Sequence, residues 1–203
     1  MNETVAAPDL RAFMSAALRR QGVVGAIAPS SPALARALTA VVPTRGASTV
    51  VELGPGTGPI SEAIHRRLAP GSRHLAVEID PDLAAHLRRT RPWMETVHGD
   101  AADLGRLLAE AGIDRADAVV STLPWSLFPA GLQERVLGEV AGALAPAGAF
   151  TTVTYLPAFA LAGARALRRR LRSVFDEVLI TGPVWRNLPP GMTYVCRRPG
   201  KRV

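Results

Sequence analysis

Apolar and polar positions along this chain follow two different periods. Residues 9–21 place Leu10, Phe13, Met14, Ala17 and Leu18 at i, i+3, i+4, i+7 and i+8, the stripe of an amphipathic helix. Arg11, Arg19 and Arg20 fall largely off that stripe, and Gly22 is placed to end the helix. A loop over 24–32 follows, in which Ser31 can cap a second helix and Pro32 can open it, running to about Ala40. From there the period changes. Short apolar runs near 48–53, 73–79, 95–98, 116–122 and 148–155 read as strands, and helical patterns near 59–68, 81–89, 102–111, 131–144 and 158–172 fall between them. This alternation predicts an α/β fold, a parallel sheet with helices on both faces. Two further strand-like runs, 174–182 and 191–197, are separated by Pro183 and the turn Pro189-Pro190-Gly191, which predicts a closing antiparallel hairpin. No repeat or low-complexity linker interrupts the pattern, so residues 46–203 read as one globular unit preceded by N-terminal helices over 1–45.

Composition narrows the class. A chain of 203 residues with 48% hydrophobic content suits one α/β domain with a sizeable core. No apolar run reaches the roughly 18 residues of a membrane span. The N-terminus opens with acids rather than the charged-then-apolar order of a secretory signal, which leaves a cytoplasmic location as the expectation. The single cysteine, Cys196, excludes an internal disulfide and a cysteine metal cluster, and its strand-like neighbours predict a buried thiol. The net charge of +7 is unevenly spread. Residues 1–47 hold five arginines against Glu3 and Asp9, and residues 160–203 hold ten basic groups against Asp176 and Glu177, which leaves a net negative centre. Basic ends around such a centre suit a phosphate-rich surface, either a membrane or a nucleic acid.

The densest signal is Val50-Val51-Glu52-Leu53-Gly54-Pro55-Gly56-Thr57-Gly58. Glycines at alternate positions let the backbone turn sharply off a strand and pass close to a ligand. About one helix later, the strand Leu75-Ala76-Val77-Glu78-Ile79-Asp80 ends in acids suited to ribose hydroxyls. Gly58 falls two residues after Gly56, not the three of the dinucleotide fingerprint. The loop resembles the E-x-G-x-G-x-G loop of class I S-adenosylmethionine-dependent methyltransferases; a glycine-rich turn without a ligand is the plainer alternative. The resemblance implies a Rossmann-like fold with a seven-stranded, mostly parallel sheet. It places Glu52, Gly54, Gly56 and Gly58 beneath the methionine part of the cofactor and Glu78 at the ribose. In His98-Gly99-Asp100-Ala101, it places Asp100 and Ala101 at the adenine. Asp100 also reads as the cap of helix 102–111, and both roles can coexist.

Methyl transfer is an in-line attack on a sulfonium methyl, so the protein has to supply alignment and a neutral nucleophile. A metal is unnecessary, and the four histidines, at 65, 74, 86 and 98, are scattered. The acceptor segment reads Ser121-Thr122-Leu123-Pro124-Trp125-Ser126-Leu127-Phe128-Pro129. In many amino-directed methyltransferases this place reads Asn/Asp-Pro-Pro-Tyr or Asn-Leu-Pro-Tyr. Here Ser121 stands for the Asn, as a catalytic and cofactor-contacting residue, and Trp125 stands for the Tyr. Trp125 either walls an alkylammonium head group through cation–π contact or packs with Phe128 under a helix.

Four segments together are similar to those of bacterial phospholipid N-methyltransferases. They are Gly25-Ala26-Ile27-Ala28-Pro29-Ser30-Ser31, the loop 51–58, Ser121-x-Leu123-Pro124, and Arg186-Asn187-Leu188-Pro189-Pro190. Gly191 departs mildly from the small residue, such as alanine, that belongs there. The resemblance implies successive methylation of phosphatidylethanolamine toward phosphatidylcholine. It also implies an anionic membrane surface and a phospholipid as partners, no nucleic acid, and a peripheral position at the inner face of the membrane. Residues 1–45 then supply either an interfacial helix or a lid over the acceptor site. The arginines at 165, 168, 169, 170 and 172 form a solvated helix face or contact phosphate. Leu123, Pro124, Trp125, Tyr155, Trp185, Arg186 and Asn187 are the expected substrate-binding residues. Tyr155 is also the candidate catalytic group, as a hydrogen-bond acceptor, a proton acceptor through water, or a wall. Asn187 completes the pocket or stabilises its turn. Three other readings stay open: a small-molecule methyltransferase of secondary metabolism, an RNA adenine dimethyltransferase, and a non-catalytic cofactor-binding protein.

Overall fold

The computed structural model describes residues 30–200, so the helix expected at 9–21 lies outside the described residues. The first helix, α1 (Pro32–Leu38), begins as its sequence predicts: the Ser31 hydroxyl accepts the Leu34 amide at 3.2 Å and Pro32 occupies the first position. It gives way to a short 3-10 turn, Thr39–Val41. The strands are β1 (Thr49–Leu53), β2 (Arg73–Glu78), β3 (Glu95–His98), β4 (Ala116–Ser121), β5 (Leu144–Tyr155), β6 (Phe175–Ile180) and β7 (Gly191–Pro199). The remaining helices are α2 (Pro59–His65), α3 (Pro81–Thr90), α4 (Leu104–Glu110), α5 (Ala130–Ala143) and α6 (Ala162–Val174).

One seven-stranded sheet has the order β3-β2-β1-β4-β5-β7-β6. The first five strands are parallel, and β7 runs antiparallel to both β5 and β6. The terminal hairpin is therefore present as read, with β7 inserted between its partner and the parallel sheet.

Alternation along the strands sends side chains into two layers. Val51, Leu53, Val119 and Phe150 pack beneath α4, α5 and α6 with Leu107, Val136, Leu137, Leu167 and Leu171. Val50, Ala118, Val120 and Val153 face the other way, onto Leu34 and Leu38 of α1 and Ile60 and Ile64 of α2. The segment 32–38 is thus part of the core, and its three buried residues lie against the sheet. Cys196 is fully buried, and burial pushes its thiol up to about 12, which keeps it protonated and inert.

Two boundaries differ from the sequence reading. Strand β5 starts at Leu144, directly where α5 ends, and its pairing with β4 jumps from Ala116↔Leu144 to Ala118↔Ala149. The exposed Pro146 and Ala147 are accommodated in that irregularity, and Gly148 allows the close return, since a Cβ there would lie 2.9 Å from the Ala116 carbonyl oxygen. Helix α6 starts at Ala162 instead of 158 because Pro157 closes a separate 3-10 turn over Leu156–Ala158 and Leu161 is extended.

Candidate active site

The strand order reverses between β1 and β4, whose connections leave toward opposite edges of the sheet. A crevice opens beyond the carboxyl ends of the strands at such a point, and the glycine loop lies there. Gly54, Gly56 and Gly58 all have positive φ, at 71°, 58° and 87°, which side-chain-bearing residues rarely adopt. Gly54 has a second constraint, because a Cβ would lie 2.9 Å from Leu123 Cδ2. The loop is pinned from three sides. The Gly54 amide donates to Val77 O at 3.0 Å, the Gly56 amide donates to Glu78 Oε2 at 3.0 Å, and Thr122 Oγ1 donates to Gly54 O at 2.5 Å.

Around this loop is a cleft of about 570 Å³ lined by Gly54, Gly56, Glu78, Ile79, Leu83, Gly99, Asp100, Ala101, Thr122, Leu123, Pro124 and Phe128, among others. Its mostly apolar lining with the two acids Glu78 and Asp100 suits a nucleoside. Glu78 is 3% exposed, and its other oxygen accepts the Asp80 amide at 3.0 Å. Burial holds its carboxyl above the usual glutamate range, against the opposing pull of the backbone amides of Asp80, Gly56 and Ile79. Each carboxylate oxygen keeps accepting capacity beyond these bonds. A buried acceptor at the rim of an apolar slot fits a ribose diol, and Ile79, Leu83 and Phe128 supply flat apolar walls fit for a purine. Asp100 lines the same cleft while its Oδ1 accepts the Ala102 amide at 2.8 Å, capping the 3-10 turn Ala101–Asp103.

Other expected cofactor residues are placed differently. Glu52 points to the α1–α2 side of the sheet and is wholly buried, with Oε2 3.1 Å from His74 Nε2. It shares the face of Val50, so strand alternation turns it away from the cleft. Gly58 caps α2 outside the cleft lining, with the Arg91 guanidinium lying over its bare Cα. Ser121 is also wholly buried. Its Oγ accepts the Trp125 indole N–H at 3.1 Å and the Leu123 amide at 3.3 Å, so it fixes the turn below the cleft and does not line it.

A second cavity, about 540 Å³, is lined by Thr122, Leu123, Pro124, Trp125, Ser126, Val153, Thr154, Tyr155, Ala164 and Leu167. It shares the wall Thr122-Leu123-Pro124 with the first. Of the expected substrate residues, Leu123, Pro124, Trp125 and Tyr155 meet here. Trp125 is only 1% exposed and packs against Phe128 and Phe150, with ring centroids 5.6 and 6.1 Å away, so most of its ring is core. Tyr155 hydrogen-bonds Ser30, and burial pushes its phenol above the ordinary tyrosine value. Trp185, Arg186 and Asn187 line neither cavity. Trp185 and Arg186 are exposed, and Asn187 is buried, accepting the Ser31 amide at 2.8 Å and donating to Pro189 O at 2.8 Å.

Sequence reasoning passed over Thr122, Ser126, Thr154 and Leu83. Thr122 had a usable signal: it follows the β4 apolar run, across the switch point from the glycine loop. It also missed Gln133, wholly buried in α5, whose side-chain amide donates to Trp125 O at 2.8 Å, Gly163 O at 3.3 Å and Phe128 O at 3.4 Å. Among the described residues no group of His, Cys, Asp and Glu is arranged to hold a metal, and no helix is long and apolar enough to cross a membrane.

A protein-family model described as the TrkA-N domain matches residues 55–126, a segment that starts within the glycine loop, after Gly54, and contains strands β2 to β4. The ornithine lipid N-methyltransferase of Singulisphaera acidiphila is 38% identical over 192 residues, covering 93% of this chain and 96% of that protein. The ribosomal RNA small subunit methyltransferase A of Burkholderia ambifaria is 39% identical over 93 residues, 44% of this chain, and the match spans only 34% of that relative. Among solved structures, the O-methyltransferase of Bacillus cereus in complex with S-adenosylhomocysteine superposes with a TM-score of 0.65 at 14% identity, covering 96% of this chain and 94% of that one. That likeness establishes the shared fold.

Proposed function

We propose, from a chain that belongs to the S-adenosylmethionine-dependent methyltransferase family of the Singulisphaera acidiphila ornithine lipid N-methyltransferase, that this enzyme methylates the amine of a membrane lipid head group. The observation that supports this most is similarity over nearly the whole length of both chains, acceptor region included. When bound, S-adenosylmethionine supplies a methyl group on a positively charged sulfur, open to attack by an amine lone pair. Glu78, Asp100 and the Gly54–Gly56 backbone are the groups of this chain that would hold it.

The second cavity is the seat proposed for the amine. Its wall is common to both cavities, so an amine seated there lies beside the contents of the first. Thr122, Ser126, Thr154 and Tyr155 offer hydrogen bonds without offering a strong base. Among the described residues Tyr155 is the only titratable side chain in that lining, and burial keeps it a neutral phenol. The amine's proton therefore leaves through hydrogen-bonded hydroxyls or water, and alignment carries the catalysis.

Two lipids carry the same chemistry. Phosphatidylethanolamine, with successive methylation toward phosphatidylcholine, follows from the sequence resemblance. An ornithine-type lipid is favoured by the full-length relative. The proposed place of work is the cytoplasmic face of the membrane. Vesicles of either lipid with an anionic phospholipid, incubated with methyl-labelled S-adenosylmethionine, decide between them. Label is expected in extracted aminolipid, and the number of methyl groups follows from the products. No labelled lipid, with cofactor binding confirmed in the same preparation, overturns the reading and points to a soluble acceptor.

A further inference from the structure

Among the described residues, seven large apolar side chains are exposed, and their positions are not scattered. Leu127 follows β4, Leu156 and Leu161 follow β5, and Trp185 and Leu188 follow β6. Strand β6 runs parallel to β4 and β5, because both β5 and β6 are antiparallel to β7. All five therefore leave the sheet at its carboxyl edge, the edge that carries both cavities. Ile180 ends β6 at the same edge, and Leu179 alone lies back along the strand. Trp185 and Leu188 are the most exposed, at 70% and 77%.

The loops are also connected to the second cavity. Leu127 follows its lining residue Ser126, and Leu156 follows its lining residue Tyr155. The Leu156 amide donates to Pro190 O at 2.8 Å, and Gly191 pairs with Tyr155, which draws the 181–190 loop against the end of β5. Charge is one-sided: segments 122–131, 154–168 and 181–191 contain Arg165, Arg168 and Arg186 and no Asp or Glu. An apolar tip with a cationic fringe matches acyl chains below anionic phosphates.

We propose that Leu127, Leu156, Leu161, Trp185 and Leu188 form a membrane-docking rim that inserts at the leaflet surface, with Arg165 and Arg186 on its phosphate level. This rests on the lipid reading above and adds a surface and an orientation to it. The rim sets the carboxyl edge of the sheet on the membrane, and the acceptor cavity behind Ser126 and Tyr155 takes a head group without the lipid leaving its leaflet.

Tryptophan fluorescence with vesicles of bromine-labelled phosphatidylglycerol tests the rim directly. Trp185 is exposed on the rim, Trp125 is buried, and Trp93 stacks on His65 ahead of β3, at the opposite edge. Wild type is expected to be quenched, and the Trp185→Phe variant to bind vesicles while losing most of that quenching. The Leu161→Ser/Leu188→Ser variant is expected to partition about tenfold more weakly, with cofactor binding and methylation of a dissolved short-chain aminolipid retained. Unchanged quenching in Trp185→Phe, or unchanged partition in the double variant, overturns the rim. So does concentration-dependent self-association that shields Trp185, which would make the occupant a second copy. If the rim results hold and no form methylates the dissolved aminolipid, the lipid reading fails and the surface stands.

Discussion

The Glu78 carboxylate accepts the Gly56 amide at 3.0 Å, so the acid that lines the cleft also fastens the glycine loop to β2. Replacing it with glutamine should lower S-adenosylmethionine affinity by roughly ten- to a hundredfold, the loss of charge-assisted hydrogen bonds at about 1.5–3 kcal/mol. Because burial raises this carboxyl above the ordinary value, the folded chain binds a proton there more readily than the unfolded one. Its contribution to stability therefore grows as pH falls toward the ordinary glutamate value and shrinks as pH rises through the raised value. Cofactor affinity should run the opposite way, declining in acid above the ordinary glutamate range. Calorimetric titrations from pH 8 to pH 5 should show that decline in wild type and a flat profile in Glu78→Gln.

Glu52 and His74 are buried partners on neighbouring strands. Glu52→Ala should cost about 1–3 kcal/mol, the penalty of leaving the buried His74 ring without its hydrogen-bond partner, measured by urea denaturation. The folded fraction should bind S-adenosylmethionine as tightly as wild type. A large loss of affinity with little loss of stability would return Glu52 to the cofactor site.

Ser121 Oγ and the Trp125 indole are coupled by one buried hydrogen bond. Ser121→Ala and Trp125→Phe should each destabilise the fold. Their double-mutant cycle should return a coupling of about 1 kcal/mol. Turnover of Ser121→Ala should stay within several-fold of wild type, since the hydroxyl holds a turn and does not face the cleft.

Tyr155 is kept protonated by burial, with its hydroxyl bonded to Ser30. Tyr155→Phe should lower kcat/KM less than tenfold and leave the shape of the pH–rate profile unchanged. A profile that loses its rising limb in this variant would make the phenol a base.

Gly163 sits where α6 passes the backbone of Ser126, and a Cβ would overlap the Ser126 carbonyl. Gly163→Ala should cost about 1–3 kcal/mol through overpacking. It should also raise KM for the acceptor more than for the cofactor, because Ser126 lines only the second cavity.

The sheet plan was legible because its strands are short apolar runs bounded by Gly and Pro, and because Gly54, Gly56 and Glu78 stand where a nucleoside-binding βα unit needs them. The facing of individual residues was less legible. Glu52 belongs to the same motif as Gly54, but a strand turns successive side chains to opposite faces, and only pairing with β2 shows that His74 is there to receive it. Ser121 and Trp125 were read by analogy with an Asn and a Tyr. Their mutual hydrogen bond converts both into supports, a relationship four residues apart that needs the 3-10 turn Trp125–Leu127 to form. The strand read at 148–155 starts earlier, at Leu144, because Pro146 sits in an irregularity of β5 that breaks its apolar run.

Asn187 holds the Ser31 amide with one end of its side chain and the Pro189 carbonyl with the other. The start of α1 and the middle of the last loop are thereby stitched together, although nearly the whole fold separates them in sequence. Such a loop has a fixed waist and free shoulders. Trp185 and Leu188 on either side are exposed and can be exchanged without disturbing what lies beneath, so the outward face of this loop can be retuned while its anchor, and the entry of the chain into the core, stay in place.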